Sequence, residues 1–146
     1  MSKKYTVTLS KEQVKTIQVA CELLSRIQGG QVREVFEHLP LREDIDWGVY
    51  HEIQDELTKR MPEILKDRID GWSSSFGVGN PKLPKSHDNA WDLYQVLRHQ
   101  LSWEYAIENG WVKDFNSPRN WDKMIGVSFD EPMRFGGEEL AKIERM

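Results

Sequence analysis

Apolar and hydroxylated residues alternate over Tyr5-Thr-Val-Thr-Leu9, and the spacing then changes. Alternation rich in β-branched residues predicts a short strand there. From Ser10 onward the apolar spacing is helical. Val14, Ile17, Ala20, Cys21, Leu23, Leu24 and Ile27 share one broad face, and Lys11, Lys15, Gln18, Glu22 and Arg26 share the other. Ser10 with Gln13 makes a capping-box pattern, and Gly29-Gly30 stops the helix. A shorter helix is expected over Gln31–Leu39, ended by Pro40. Leu41–Asp46 reads as an acidic loop in which Asp44 or Asp46 caps the next helix, where Val49, Ile53, Leu57 and Met61 recur at helical spacing. Pro62 marks either a kink or the start of a new turn.

Regular patterning disappears across residues 70–89, a long loop holding Gly71, Gly77, Gly79, Pro81, Pro84 and a serine run, with Trp72 and Phe76 embedded in it. Loops of this length inside a compact domain are functional or disordered. Asp88 or Asn89 is expected to cap a long helix over residues 89–108, ended by Asn109-Gly110. Strand-like pieces follow at Trp111–Phe115 and Met124–Phe129, joined by the turn-rich Asn116–Asn120. The expectation is therefore an α+β fold, a small antiparallel sheet against several helices. Residues 1–146 form one domain, with a tail at 132–146 that is a strand, a helix or an arm onto a neighbour. No internal repeat is visible.

Charge and composition narrow the partners. The chain has 146 residues, 38% apolar and 30% charged, which suits one globular domain. A net charge of −4 argues against coating a nucleic acid polymer, while a few local arginines can still hold a small anion. Cys21 is the sole cysteine, so no internal disulfide forms, and it reads as a core thiol. The first residues lack the apolar run of a signal peptide, and no stretch approaches a membrane span, so a cytoplasmic location without membrane contact is expected. Six tryptophans are unusual for this size: they fill the core, or they face a partner or a flat ligand.

The four histidines are scattered outside any metal-ligand spacing, and no nucleophile elbow or phosphate-loop pattern is present. Nothing assembles into an active site, and no cofactor or metal is called for; the expectation is a binding protein, not an enzyme. An anionic nucleotide needs guanidinium forks and an aromatic face. Trp72 and Phe76 offer the face; Arg26 and Arg33, flanking Gly29-Gly30, and Arg98 offer the forks. The bland reading of Arg26 is a helix-surface ion pair with Glu22. Arg98 stands at the edge of an apolar arc beside Tyr94 and near Tyr105, and Gln100 and Glu104 project within that arc, so they either meet partners or snorkel.

Two stretches, Ser25-Arg-Ile-Gln-Gly-Gly-Gln31 and Asp92-Leu-Tyr-Gln-Val-Leu-Arg-His99, resemble a pattern of small bacteriophage proteins, and the chain is similar there to the Thoeris anti-defence sponges. They cover 15 of the 146 residues. The resemblance implies a homo-oligomer in the cytoplasm of an infected bacterial cell that sequesters a cyclic nucleotide immune signal, such as a cyclic ADP-ribose isomer, without cleaving it. It also implies ligand contacts at Arg26, Phe76 and Asn89, with a further arginine at Arg98 or Arg119. Two rival expectations are an acidic protein-binding inhibitor of a host defence protein, and a phosphodiesterase-like enzyme, which needs paired histidines or a metal cluster.

Overall fold

The computed structural model describes residues 3–65, 75–117 and 131–146. Its elements are α1 (Lys11–Gln28), a 3-10 helix (Val32–His38), α2 (Trp47–Leu65) and α3 (Lys85–Glu108). The fold is all-helical among the described residues, which overturns the expected α+β class and its antiparallel sheet.

Local chemistry sets the helix ends. The Ser10 hydroxyl accepts from the Gln13 amide while the Gln13 side chain accepts from the Ser10 amide, closing the capping box. At the other end of α1, Gly30 takes φ 86°, its N–H donates to the Ile27 carbonyl, and the Gln31 N–H donates to the Arg26 carbonyl. The same doubled closure ends α3, where Gly110 takes φ 68°, its N–H donates to Ile107, and the Trp111 N–H donates to Ala106. A side chain at either glycine would meet the left-handed penalty. Asp46, not Asp44, caps α2 through the Gly48 and Val49 amides, and Pro62 lies inside that helix.

α1 and α3 run antiparallel. Lys11 at the start of α1 pairs with Glu108 at the end of α3 (2.7 Å), and Gln28 at the end of α1 bonds Ser86 at the start of α3 (2.9 Å). Their contact is the main interface of the fold. Buried Ala90, Tyr94, Leu97 and Ala106 lie on α3, and Trp103, Ala106 and Val112 form a small core cluster with Ile107 and Trp111 against it. α2 stands apart: it leans on the 3-10 helix, with Tyr50 edge-to-face on Phe36 at 5.7 Å, and makes no close backbone contact with α1 or α3.

Each expected strand has a physical counter-reason or lies out of view. Tyr5–Leu9 takes no regular structure and pairs with no strand among the described residues, with Tyr5 85% and Val7 70% exposed. Alternation supplies a strand's pattern, but only a second edge supplies its hydrogen bonds. Trp111–Phe115 is not a strand because Trp111 is consumed by the helix closure, and the Lys113 and Asp114 amides donate to the Ser117 hydroxyl in a local turn. Met124–Phe129 lies outside the described residues. The loop expected at 70–89 ends sooner than supposed: Lys85–Asn89 are helical, and Pro84 occupies the cap position given to Asp88 or Asn89. The Asp88 carboxylate is used elsewhere, facing the His87 ring nitrogen (2.7 Å) and accepting from the Gly79 amide (3.0 Å).

The tail expected at 132–146 takes no regular structure, yet its first part is tied down. It runs antiparallel to α3, with Glu131 near His99 (3.6 Å), Met133 bonded to Gln95, and the Phe135 and Gly136 amides held by Asp92.

Candidate ligand-binding site

Arg26, Trp91, Tyr94 and Arg98 form a ladder between α1 and α3. The Arg26 guanidinium lies 5.9 Å from the Trp91 ring centre, Trp91 and Tyr94 lie 5.0 Å apart, and the Arg98 guanidinium lies 4.8 Å from the Tyr94 ring centre. Helical geometry explains the spacing: residues three and four apart, as 91, 94 and 98 are, share a face of α3. Sequence reasoning noticed Tyr94 and Arg98 but not Trp91. The signal was there, since 91, 94 and 98 are one helical stripe.

The two arginines differ electrostatically. The Arg26 Nε donates to Glu22 (2.9 Å), its Nη1 donates to the Gln31 side chain (2.8 Å), and Glu34 stands 3.8 Å away. Two carboxylates thus compensate one guanidinium, and the side-chain pairing with Glu22 is the bland reading made concrete. Arg98 has no carboxylate partner among the described residues. Its Nη1 donates to the Tyr94 hydroxyl (3.2 Å), and its Nε is buried without an acceptor. A partly buried cation in that position has an unmet demand for negative charge.

The remaining expected residues disperse. Phe76 joins the end of α1, its amide donating to the Gly29 carbonyl (2.9 Å), three residues past Arg26. Arg33 points to α2 instead and pairs loosely with Asp55 at 3.5 Å. Asn89 is turned to the tail: its Oδ1 lies 2.4 Å from where a Cβ on residue 136 would stand. Trp72 and Arg119 lie outside the described residues.

The polar residues of α3 also find partners. Gln100 donates to Glu104 (2.9 Å) on the helix itself, so the two residues that interrupt the apolar arc satisfy each other. His87, 3% exposed, sits under Gly29, where a Cβ would come within 3.0 Å of its Nε2. Among the described residues no cluster of His, Cys, Asp and Glu is placed to hold a metal ion, and no helix is long and apolar enough to cross a membrane. Comparison of the chain with protein-family models, with curated proteins and with solved structures finds no match.

Proposed function

We propose that the chain is a phage-encoded sponge for a cyclic nucleotide signal, a cyclic ADP-ribose isomer or a cyclic oligonucleotide, which it holds without cleaving in the cytoplasm of an infected bacterium. The observation that carries this reading is Arg98: a partly buried guanidinium with no carboxylate partner among the described residues and a buried Nε without an acceptor, next to Tyr94 and Trp91, whose tilted rings lie 5.0 Å apart. A phosphate supplies the missing acceptor and charge, and the partly exposed Trp91 supplies a face for a base or ribose edge. Arg26, over the Trp91 ring, contributes a second guanidinium once its hold on Glu22 and Glu34 loosens, and Phe76 is tied to the end of the same helix at Gly29. Sequestration works by mass action and needs neither general acid nor base, only abundance and affinity.

The test is a thermal-shift panel of cyclic ADP-ribose isomers and cyclic di- and trinucleotides, followed by mass spectrometry of compound released by heat. A ligand at a hundred times its dissociation constant stabilises the fold by about 2.7 kcal/mol. A shift lost in Arg98→Ala and Trp91→Ala, with the ligand recovered at unchanged mass, supports the sponge. A cleaved ligand points to an enzyme, and silence across the panel removes the nucleotide reading.

A further inference from the structure

We infer that Phe135 is a positioning residue: the C-terminal tail, seated on α3, holds the loop that carries Phe76 in place against the end of α1. Two carboxylates one turn apart on α3 grip two irregular segments. Asp88 takes the Gly79 amide (3.0 Å), and Asp92 takes the Phe135 amide (2.9 Å) and the Gly136 amide (2.8 Å). Residues four apart share a helix face, so loop and tail are brought side by side. They meet there: the Phe135 ring edge lies 3.8 Å from the point where a Cβ on residue 79 would stand. Apart from residues 78 and 80, no other heavy atom of the described residues comes within 4 Å of that point.

The loop's own backbone is permissive. Gly77 and Gly79 take φ 74° and 76°, left-handed conformations that suit glycine, and a Cβ on residue 77 would meet open space. The fastenings form one circuit. The Phe76 amide donates to the Gly29 carbonyl (2.9 Å), Gly29 lies against the buried His87 ring, His87 faces Asp88 (2.7 Å), and Asp88 returns to Gly79. Phe135 closes this circuit from outside. Without its ring the stretch from Gly77 to Gly79 regains conformational freedom, which weakens the two amide bonds that fix Phe76. The tail itself is gripped by its backbone, through Asp92 and Gln95, so Phe135→Ala leaves the tail seated and removes only its touch on the loop. Weaker ligand binding beside Phe76 follows; that consequence rests on the nucleotide reading, whereas the link between tail and loop does not.

Amide hydrogen exchange of the full chain, read by NMR in the wild type and in Phe135→Ala, tests the link. Exchange at Phe76 and Gly79 should speed up about tenfold. The Met133 amide, held by Gln95, and the amides in the middle of α1 should keep their protection. Phe135→Leu, which keeps an apolar branch toward Gly79, should restore most of what is lost. In an Asp92→Ala background, where the tail is already released, Phe135→Ala should add nothing further at Phe76. Calorimetric titration with cyclic ADP-ribose should then show weaker binding in Phe135→Ala. A wild type that takes up no cyclic ADP-ribose counts against the nucleotide reading alone, because the exchange rates decide on Phe135 with no ligand present. Unchanged exchange at Phe76 and Gly79 in Phe135→Ala overturns the inference. So does a rise shared equally by α1 and α3, which would make Phe135 a residue of general stability, and so does a full further effect in the Asp92→Ala background.

Discussion

Gln95 and Met133 exchange two hydrogen bonds: the Gln95 side-chain amide donates to the Met133 carbonyl at 2.9 Å, and the Met133 N–H donates to the Gln95 Oε1 at 3.2 Å. One side chain on a helix thus satisfies both backbone polar groups of Met133, as a neighbouring strand would. Asp92, one turn away, takes the Phe135 amide at 2.9 Å and the Gly136 amide at 2.8 Å. Together they hold the tail on α3 through backbone groups.

Asp92→Ala should therefore release the tail. Asp92 is 7% exposed, and its contacts are charge-assisted bonds, so the loss should be about 2–3 kcal/mol in stability. Hydrogen exchange should speed up at Phe135 and Gly136 well beyond any change in α1. Equal protection in the variant and the wild type would mean that the tail is held by something other than Asp92.

Gly136→Ala should strain the same junction, because its Cβ would fall 2.4 Å from Asn89 Oδ1 and 3.1 Å from Asp92 Oδ2. Asn89 is exposed and can swing aside, so the loss should be about 1 kcal/mol, smaller than for Asp92→Ala. Adding Asn89→Ala should recover part of it. A double-variant cycle by urea denaturation measures this coupling, and strict additivity would place the strain elsewhere.

Ser10→Ala opens the capping box of α1 and should cost about 1 kcal/mol. Fraying at the start of α1 also frees Lys11 from Glu108, so the loss should shrink in a Glu108→Gln background. Thermal melts of the single and double variants read this out.

Arg98→Met should stabilise the ligand-free protein by about 1 kcal/mol even though the cation faces Tyr94, since it removes a partly buried charge with no carboxylate partner among the described residues and a buried Nε without an acceptor. The same change should abolish ligand-dependent stabilisation. A clear loss of ligand-free stability would make Arg98 a structural residue instead.

The extended arm meets the tail through Lys4 and Glu139 at 2.8 Å. The hydrogen bond to Lys4 holds the Glu139 carboxyl below its usual value of 4.5, and the same bond raises the Lys4 ammonium above 10.5. The sign follows: the contact is in place above 4.5, is lost as pH falls through the lowered Glu139 value, and is lost again as pH rises through the raised Lys4 value. Both groups are fully exposed, so global stability should barely respond. A relaxation probe at residue 5 should show the arm loosening at acid pH, and Glu139→Gln should remove that step.

Sequence alone determined the features that depend on a few neighbouring residues. The capping box at Ser10, the glycine closures at Gly30 and Gly110, and the amphipathic course of α1 follow from local bonds and helical periodicity. So does the Glu22–Arg26 pair, set by its four-residue spacing. Tertiary structure decided whatever needs a distant partner. Tyr5–Leu9 has a strand's pattern, but no second edge among the described residues is paired with it, and pattern cannot supply hydrogen bonds. Asn89 stands beside Gly136, 47 residues later, a neighbour that the local sequence does not announce. Spacing already set Arg26 beside Glu22 and Arg98 beside Tyr94. The folded surroundings added Glu34 to the first and left the second with no carboxylate among the described residues and a buried Nε without an acceptor.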